Sequence, residues 1–165
     1  MEAHIENFRQ TVAALQRKAA PFEVPKDYTF FLGYYGGLAI QGDNYRLSLL
    51  GTGPMVEDMY SSIVSDFAFP EPGKYGFISL GALQYYNLPE IHLVEFFLDL
   101  AGTVEKSAVI GMGPVNRTRG VKDVSSWEIA MNIGEYPDRY QKVGDSFVDW
   151  LVKIAETGGK LGYIS

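Results

Sequence analysis

The segment Ile91–Leu100, with the sequence IHLVEFFLDL, restricts the possible folds of this chain more than any other segment. Its even-numbered positions form one nearly apolar face, whereas its odd-numbered positions mix apolar side chains with Glu95 and Asp99. A period of two is the pattern of a β-strand, and apolar residues on both faces are typical of a strand inside a sheet. The segment therefore predicts a central strand that is buried well on one face and partly on the other.

Two helical patterns precede the predicted sheet. Residues 2–19 carry apolar side chains at the spacing of one helix face and are followed by a proline. A second helix is predicted from about residue 25 to 35, because Pro25 and Asp27 suit a first helical turn. The glycines at 36 and 37 end this helix, since glycine accepts the left-handed conformation that follows many helices.

Shorter patterns complete the prediction of the fold. Further strands are predicted at residues 38–40, 45–50, 75–80 and 108–112, and the alternation of Trp127, Ile129, Met131 and Ile133 is also typical of a strand. Turn residues predict a hairpin connection at 41–44 and loops at 70–73 and 85–89. Helices are predicted at 54–66 and from about Ser146 to Gly158.

These patterns predict one α+β domain over residues 1–165. Its central sheet is mostly antiparallel, with the N-terminal helices and the C-terminal helix packed on it. The chain has no cysteine, which excludes disulfides and thiolate metal sites. It also has no apolar run long enough to cross a bilayer and no signal-peptide pattern at its N-terminus, so we expect a cytoplasmic protein without a membrane partner.

The net charge of −6 lies in the middle third of the chain. Residues 53–106 contain eight acidic residues and two lysines, while the other two thirds are each neutral. Such a chain is a poor direct ligand of nucleic acid, whose phosphates favour lysine and arginine. The acidic region could attract a basic protein partner, or it could be a solvated face that aids solubility.

The sequence predicts no catalytic, cofactor or metal site. Glu95 and Asp99 share one face of the predicted strand, but about four strand steps, roughly 13 Å, separate them. We expect this face to be exposed to solvent; if it is covered, one carboxylate would need an arginine or lysine partner. Arg117, Arg119 and Lys122 form a basic patch in a predicted loop, which could bind an anion or simply be solvated.

Three segments, in order, resemble a known family. The first is the helix with Pro25 and Tyr28 that ends in Gly-Gly, the second is the strand VEFFLDL at 94–100, and the third is the helix that opens with Ser146-Phe147. Their combination over residues 22–154 resembles the SUKH superfamily, which includes a fungal cell-wall-assembly regulator and many small bacterial proteins. The Gly-Gly turn departs from the family pattern, because Tyr35 stands where asparagine is frequent.

The resemblance implies an α+β fold that acts by binding protein. Bacterial members are inferred to be immunity proteins that neutralise toxins, often nucleases, by direct contact, and fungal relatives act in cell-wall regulation. We expect the first role here, with a regulatory or scaffold protein as the alternative. A small hydrolase that uses Glu95 or Asp99 is an alternative from another class.

The expected partner-binding surface combines acidic residues of the middle third with tyrosines. Tyrosines in an exposed loop are favoured anchors at protein interfaces, and carboxylates would complement a basic toxin. The predicted surface consists of Glu57, Asp58, Glu71, Tyr85, Tyr86 and Glu90.

Overall fold

The computed structural model describes residues 2–34, 38–49, 72–87 and 89–159. The helices are α1 (Glu2–Ala19), α2 (Lys26–Tyr34), α3 (Pro72–Tyr75), α4 (Ser126–Met131) and α5 (Phe147–Thr157), with one 3₁₀ turn at Ile133–Glu135. The strands are β1 (Leu38–Gln41), β2 (Tyr45–Leu49), β3 (Phe77–Asn87), β4 (Glu90–Asp99), β5 (Val109–Asn116) and β6 (Tyr140–Gly144). No helix among these described residues is long and apolar enough to cross a membrane.

The six described strands form one antiparallel sheet in the order of the sequence, from β1 to β6. Each strand therefore pairs with its neighbour in the chain, and β4 lies inside the sheet as its apolar pattern predicts. The fold class expected from the sequence is confirmed: a single α+β domain with an antiparallel sheet, N-terminal helices and a C-terminal helix packed against it.

A bulge in β3 changes which residues face each side of the sheet. The pairing with β4 shifts between Ser79 and Gly81. Before the bulge, even-numbered residues of β3 face helices α1, α2 and α5, and after it odd-numbered residues face them. Glycine is required at position 81, where φ is +148° and a Cβ atom would lie 2.1 Å from the carbonyl oxygen of Ser48. Residues before and after the bulge therefore enter the same core, although their numbers change from even to odd.

The inner core lies between the sheet and helices α1, α2 and α5. Phe96 of β4 is fully buried there, and its ring centroid is 4.9 Å from that of Trp150 on α5. The ring of Phe147 makes edge contacts with Tyr28 and Phe31 of α2, at 5.1 Å each. These aromatic contacts join the second and last helices on one face of the sheet, as the helical patterns of both segments require.

The outer core lies on the opposite face, under α4 and the 3₁₀ turn. Its buried members include Phe97, Ile110 and Met112 from the sheet and Ile129 from α4. Phe97 meets Trp127 edge-on with ring centroids 5.6 Å apart. Strand β4 is therefore buried on both faces, because the consecutive residues Phe96 and Phe97 enter different cores.

Most predicted elements are confirmed, and three local predictions are wrong. The strand predicted at 127–133 is helix α4 followed by the 3₁₀ turn, and the loop predicted at 85–89 contains the last three residues of β3. In the loop predicted at 70–73, the described residues Pro72 and Gly73 belong to the short helix α3. The helix predicted at 54–66 lies outside the described residues.

Candidate functional site

The predicted partner-binding surface divides into two groups in the structure. Glu57, Asp58 and Glu71 lie outside the described residues. Tyr85, Tyr86 and Glu90 lie together at the end of the β3–β4 hairpin, where Asn87 pairs with Glu90. We call Tyr86, Asn87, Pro89 and Glu90 the hairpin end.

Tyr85 is not the exposed anchor that the sequence predicts. It is 7% exposed and belongs to the inner core, because the bulge in β3 directs odd-numbered residues towards the helices. Its ring stacks on that of His92 with centroids 5.3 Å apart, and burial raises the pKa of its hydroxyl. Tyr85 therefore supports the hairpin from inside.

The other two predicted residues of the hairpin remain accessible. Tyr86 is half-buried, and its backbone N–H donates to the carbonyl of Asn44 at 2.8 Å. The side chain of Glu90 is 57% exposed, and its carboxylate lies 2.9 Å from Nε2 of His92. Strand alternation places Tyr86 and Glu90 on opposite faces of one hairpin, so the structure brings them to the same end of the sheet but does not align their side chains.

Two acidic residues of the middle third do not contribute to an acidic surface. Asp99 is fully buried, and its two carboxylate oxygens each accept two backbone N–H bonds, at 2.8 to 3.0 Å. The four donors belong to residues 102–105, the loop between β4 and β5. Asp99 thus holds this loop, and the prediction that it faces solvent is wrong.

Glu95 lies on the same face of β4 as Asp99, the face that carries α4, and is also covered. Its side chain is 13% exposed, and Nη2 of Arg117 lies 3.5 Å from its Oε1. Burial raises the pKa of Glu95, although the Arg117 guanidinium and the Ser126 hydroxyl act in the opposite direction. The prediction of an exposed face is therefore wrong here, and the expectation that a covered carboxylate would need an arginine or lysine partner is confirmed by Arg117.

The three residues of the predicted basic patch have different environments in the structure. Arg117 pairs with Glu95, whereas Arg119 and Lys122 are exposed in the loop after β5. Asp123 anchors that loop by accepting from the backbone N–H of Asn116 at 2.8 Å and from the Arg139 guanidinium at 3.1 Å. Partial burial alone would raise the pKa of Asp123, but these bonds lower it overall.

Sequence reasoning missed Ser126, which lies beside Glu95. Serines at 125 and 126 both precede the apolar residues of α4, and the pattern Ser-x-x-Glu from Ser125 to Glu128 is the signature of a capping box. That box is present, with Ser125 accepting from the Glu128 N–H and Glu128 accepting from the Ser125 N–H, both at 3.2 Å. This signal could have identified α4 and the position of Ser126 in its first turn.

The described residues contain no group of three or more histidine, aspartate or glutamate side chains that could hold a metal ion. No family model, no curated protein and no solved structure matches the chain. The resemblance to the SUKH superfamily therefore stays a prediction that rests on the sequence segments named above.

Proposed function

We propose that this chain is a non-catalytic protein-binding domain, and in its most concrete form an immunity protein that neutralises a toxin by direct contact. The observation that supports binding most directly is the hairpin end, which presents an exposed carboxylate and a half-buried tyrosine on a firmly paired piece of sheet. The resemblance to the SUKH superfamily supports the choice of a toxin as the partner.

The hairpin end is suited to binding because its backbone is already ordered. Ten residue pairs join β3 and β4, down to the last pair of Asn87 with Glu90, and the Tyr86 N–H bonds to the neighbouring turn. A preorganised surface loses little conformational entropy when a partner binds. Tyrosine supplies apolar contact area and a polar hydroxyl, and it is enriched among residues that dominate binding energy.

The charge of Glu90 favours a basic partner. Its carboxylate is more than half exposed, so it can contribute to steering before contact is made. A basic nuclease toxin has the complementary charge. A regulatory or scaffold role would use the same surface for a different protein, and identification of the partner separates the two.

The hydrolase alternative has weaker support. Asp99 is fully buried and accepts four backbone N–H bonds, so it is not placed to act as a second carboxylate for a reaction. Glu95 has a raised pKa, as an acid catalyst would need, but among the described residues the groups that act on it are an arginine and a serine rather than a second acid.

The proposal is tested with the product of the adjacent gene as the candidate toxin. We expect co-expression to restore the growth of cells that produce that toxin, and calorimetry to show a one-to-one complex. Tyr86→Ala should weaken binding about tenfold or more, as expected for an interface tyrosine. Glu90→Lys should slow association at low salt, whereas Glu23→Lys, an equal change of charge at another exposed site, should leave it unchanged.

Loss of protection with retained binding would contradict the immunity role. Unchanged affinity and association rate in both hairpin variants would show that the hairpin end is not the surface used.

A further inference from the structure

The loop that follows β5 lies beside the hairpin end. The Arg117 N–H donates to the Ile91 carbonyl at 2.7 Å, and the Ile91 N–H donates to the Thr118 hydroxyl at 3.1 Å. Ile91 in turn pairs with Tyr86 across the hairpin. We call residues 117–122 the basic loop. The basic loop and the hairpin end therefore adjoin at one end of the sheet.

Hydrogen bonds fix the backbone of the basic loop. The Thr118 N–H donates to Oδ1 of Asn116 at 2.8 Å, and the Val121 N–H donates to the Thr118 carbonyl at 3.1 Å, which closes a turn. Gly120 lies in this turn with a φ of +85°, which glycine adopts without strain. Asp123 follows the loop and accepts from the Asn116 N–H at 2.8 Å. A loop held in this way loses little conformational entropy when a partner binds.

The exposed side chains of the basic loop carry positive charge. Arg119 and Lys122 are exposed, and no ion pair among the described residues includes either of them. Val121 lies between them in the sequence and is 49% exposed, so it supplies apolar contact area. The neighbouring pair of Arg139 and Asp123, 3.1 Å apart, adds no net charge. Two cations of the loop are therefore available to a partner, in a chain whose net charge is −6.

The two sides of this end of the sheet differ in charge. Tyr86 pairs with Ile91, and Ile91 shares a face of β4 with Glu95, whose carboxylate contacts the 58% exposed side chain of Arg117. Tyr86 and Arg117 thus lie on the same face. The carboxylate of Glu90 belongs to the opposite face of the hairpin. A tyrosine with cations on one side and a carboxylate on the other forms a bipolar surface.

We infer that the basic loop is the second half of the partner-binding surface, where Arg119 and Lys122 receive acidic side chains of the same protein partner that meets Glu90. Arginine and lysine donate charge-assisted hydrogen bonds to carboxylates. The inference rests on the proposed function, because the hairpin end supplies the other half of the surface. Adjacent charges of opposite sign fix the orientation of a partner and disfavour partners with a different charge arrangement.

The test reverses the charges of the loop and measures binding of the candidate toxin encoded by the adjacent gene. Association and dissociation rates are recorded at low salt. Arg119→Glu and Lys122→Glu should each slow association and weaken the affinity, together by about tenfold or more. Lys106→Glu is the matched control, because it makes the same change of charge on an exposed lysine in the loop between β4 and β5, at the opposite end of the sheet. It should not weaken binding.

The direction of the effect separates a bipolar surface from general attraction between an acidic chain and a basic toxin. Arg119→Glu and Lys122→Glu make the chain more negative, so general attraction would speed association. A bipolar surface predicts the opposite, namely slower association both in these variants and in Glu90→Lys. Faster or unchanged association in both loop variants would overturn the inference.

Amide chemical shifts map the surface without reversing a charge. We expect the unlabelled toxin to perturb the amides of residues 118–122 together with those of Tyr86 and Asn87. Each variant is first checked for the amide dispersion of the folded chain. An unperturbed loop, with binding still weakened by Tyr86→Ala, would overturn the inference and leave the proposed function in place. If the natural chain did not bind the toxin at all, the proposed function would be contradicted and the inference with it.

Discussion

Glu95 and Asp99 show how far residue-level reasoning from the sequence extends. Their spacing correctly predicts that both belong to one strand, and the need for an arginine or lysine beside a covered carboxylate is also confirmed. Their environments depend on residues distant in the sequence. Glu95 is covered on the face of the sheet that carries α4. The backbone N–H groups that donate to Asp99 belong to a loop whose conformation the sequence pattern does not specify.

Replacement of Asp99 should destabilise the whole domain. Asp99→Ala leaves four backbone N–H groups without their charged acceptor, and we expect the free energy of unfolding to fall by about 3 kcal/mol. Urea denaturation measures this change. Asp145→Asn is the matched control, because the Asp145 carboxylate is 72% exposed and its pair with Lys142 should contribute less than about 1 kcal/mol. Equal effects of the two substitutions would contradict the structural role of Asp99.

Neutralisation of Glu95 should have the opposite effect at neutral pH. Because the folded-state pKa of Glu95 is raised, ionisation costs stability as the pH rises through that pKa, and the cost is relieved at lower pH. Glu95→Gln should therefore be more stable than the natural chain at pH 7. The gain should shrink as the pH falls to the ordinary glutamate range and vanish below it. Denaturation curves from pH 4 to pH 8 measure the difference, and a gain that grows towards low pH would have the wrong sign.

At the scale of elements, α4 shows why a local pattern can mislead. Trp127, Ile129 and Met131 alternate with smaller or polar residues, which predicts a strand. Ser126, Ile129, Ala130 and Ile133 have helical spacing in the same segment, and the capping box decides in favour of the helix. Strand β3 shows the second limit, since its bulge reverses the alternation and buries Tyr85.

The cap of α5 gives a prediction at this scale. The Ser146 hydroxyl accepts from the Asp149 N–H at 3.1 Å, and the helix that follows carries the buried Phe147 and Trp150. Ser146→Ala should lower the free energy of unfolding by about 1 kcal/mol. Ser146→Asp keeps a capping oxygen and should restore most of this loss. Thermal denaturation followed by circular dichroism compares the variants, and equal losses in both would argue against capping as the cause.

At the scale of the whole molecule, the sequence predicts the arrangement of the layers better than the elements that form each layer. The apolar pattern of β4 predicts good burial on one face and partial burial on the other, and the helical patterns at both ends of the chain supply the inner layer. The outer layer was harder to predict, because α4 has six residues and covers its face together with the 3₁₀ turn. Strand β4 connects the layers, so we expect the two cores to unfold together.

The chain's two tryptophans allow a direct test of this coupling, because Trp150 lies in the inner core against Phe96 and Trp127 packs on the outer core against Phe97. Trp127→Phe leaves Trp150 as the reporter of the inner core, and Trp150→Phe leaves Trp127 as the reporter of the outer core. Phe96→Ala and Phe97→Ala should each cost about 3–5 kcal/mol, as expected for a buried aromatic side chain. In urea, each alanine substitution should shift the fluorescence transitions of both reporters by the same amount, since consecutive residues of β4 hold the two layers. If Phe97→Ala moved the fluorescence transition of Trp127 to lower urea and left that of Trp150 unchanged, the outer layer would be a separate folding unit.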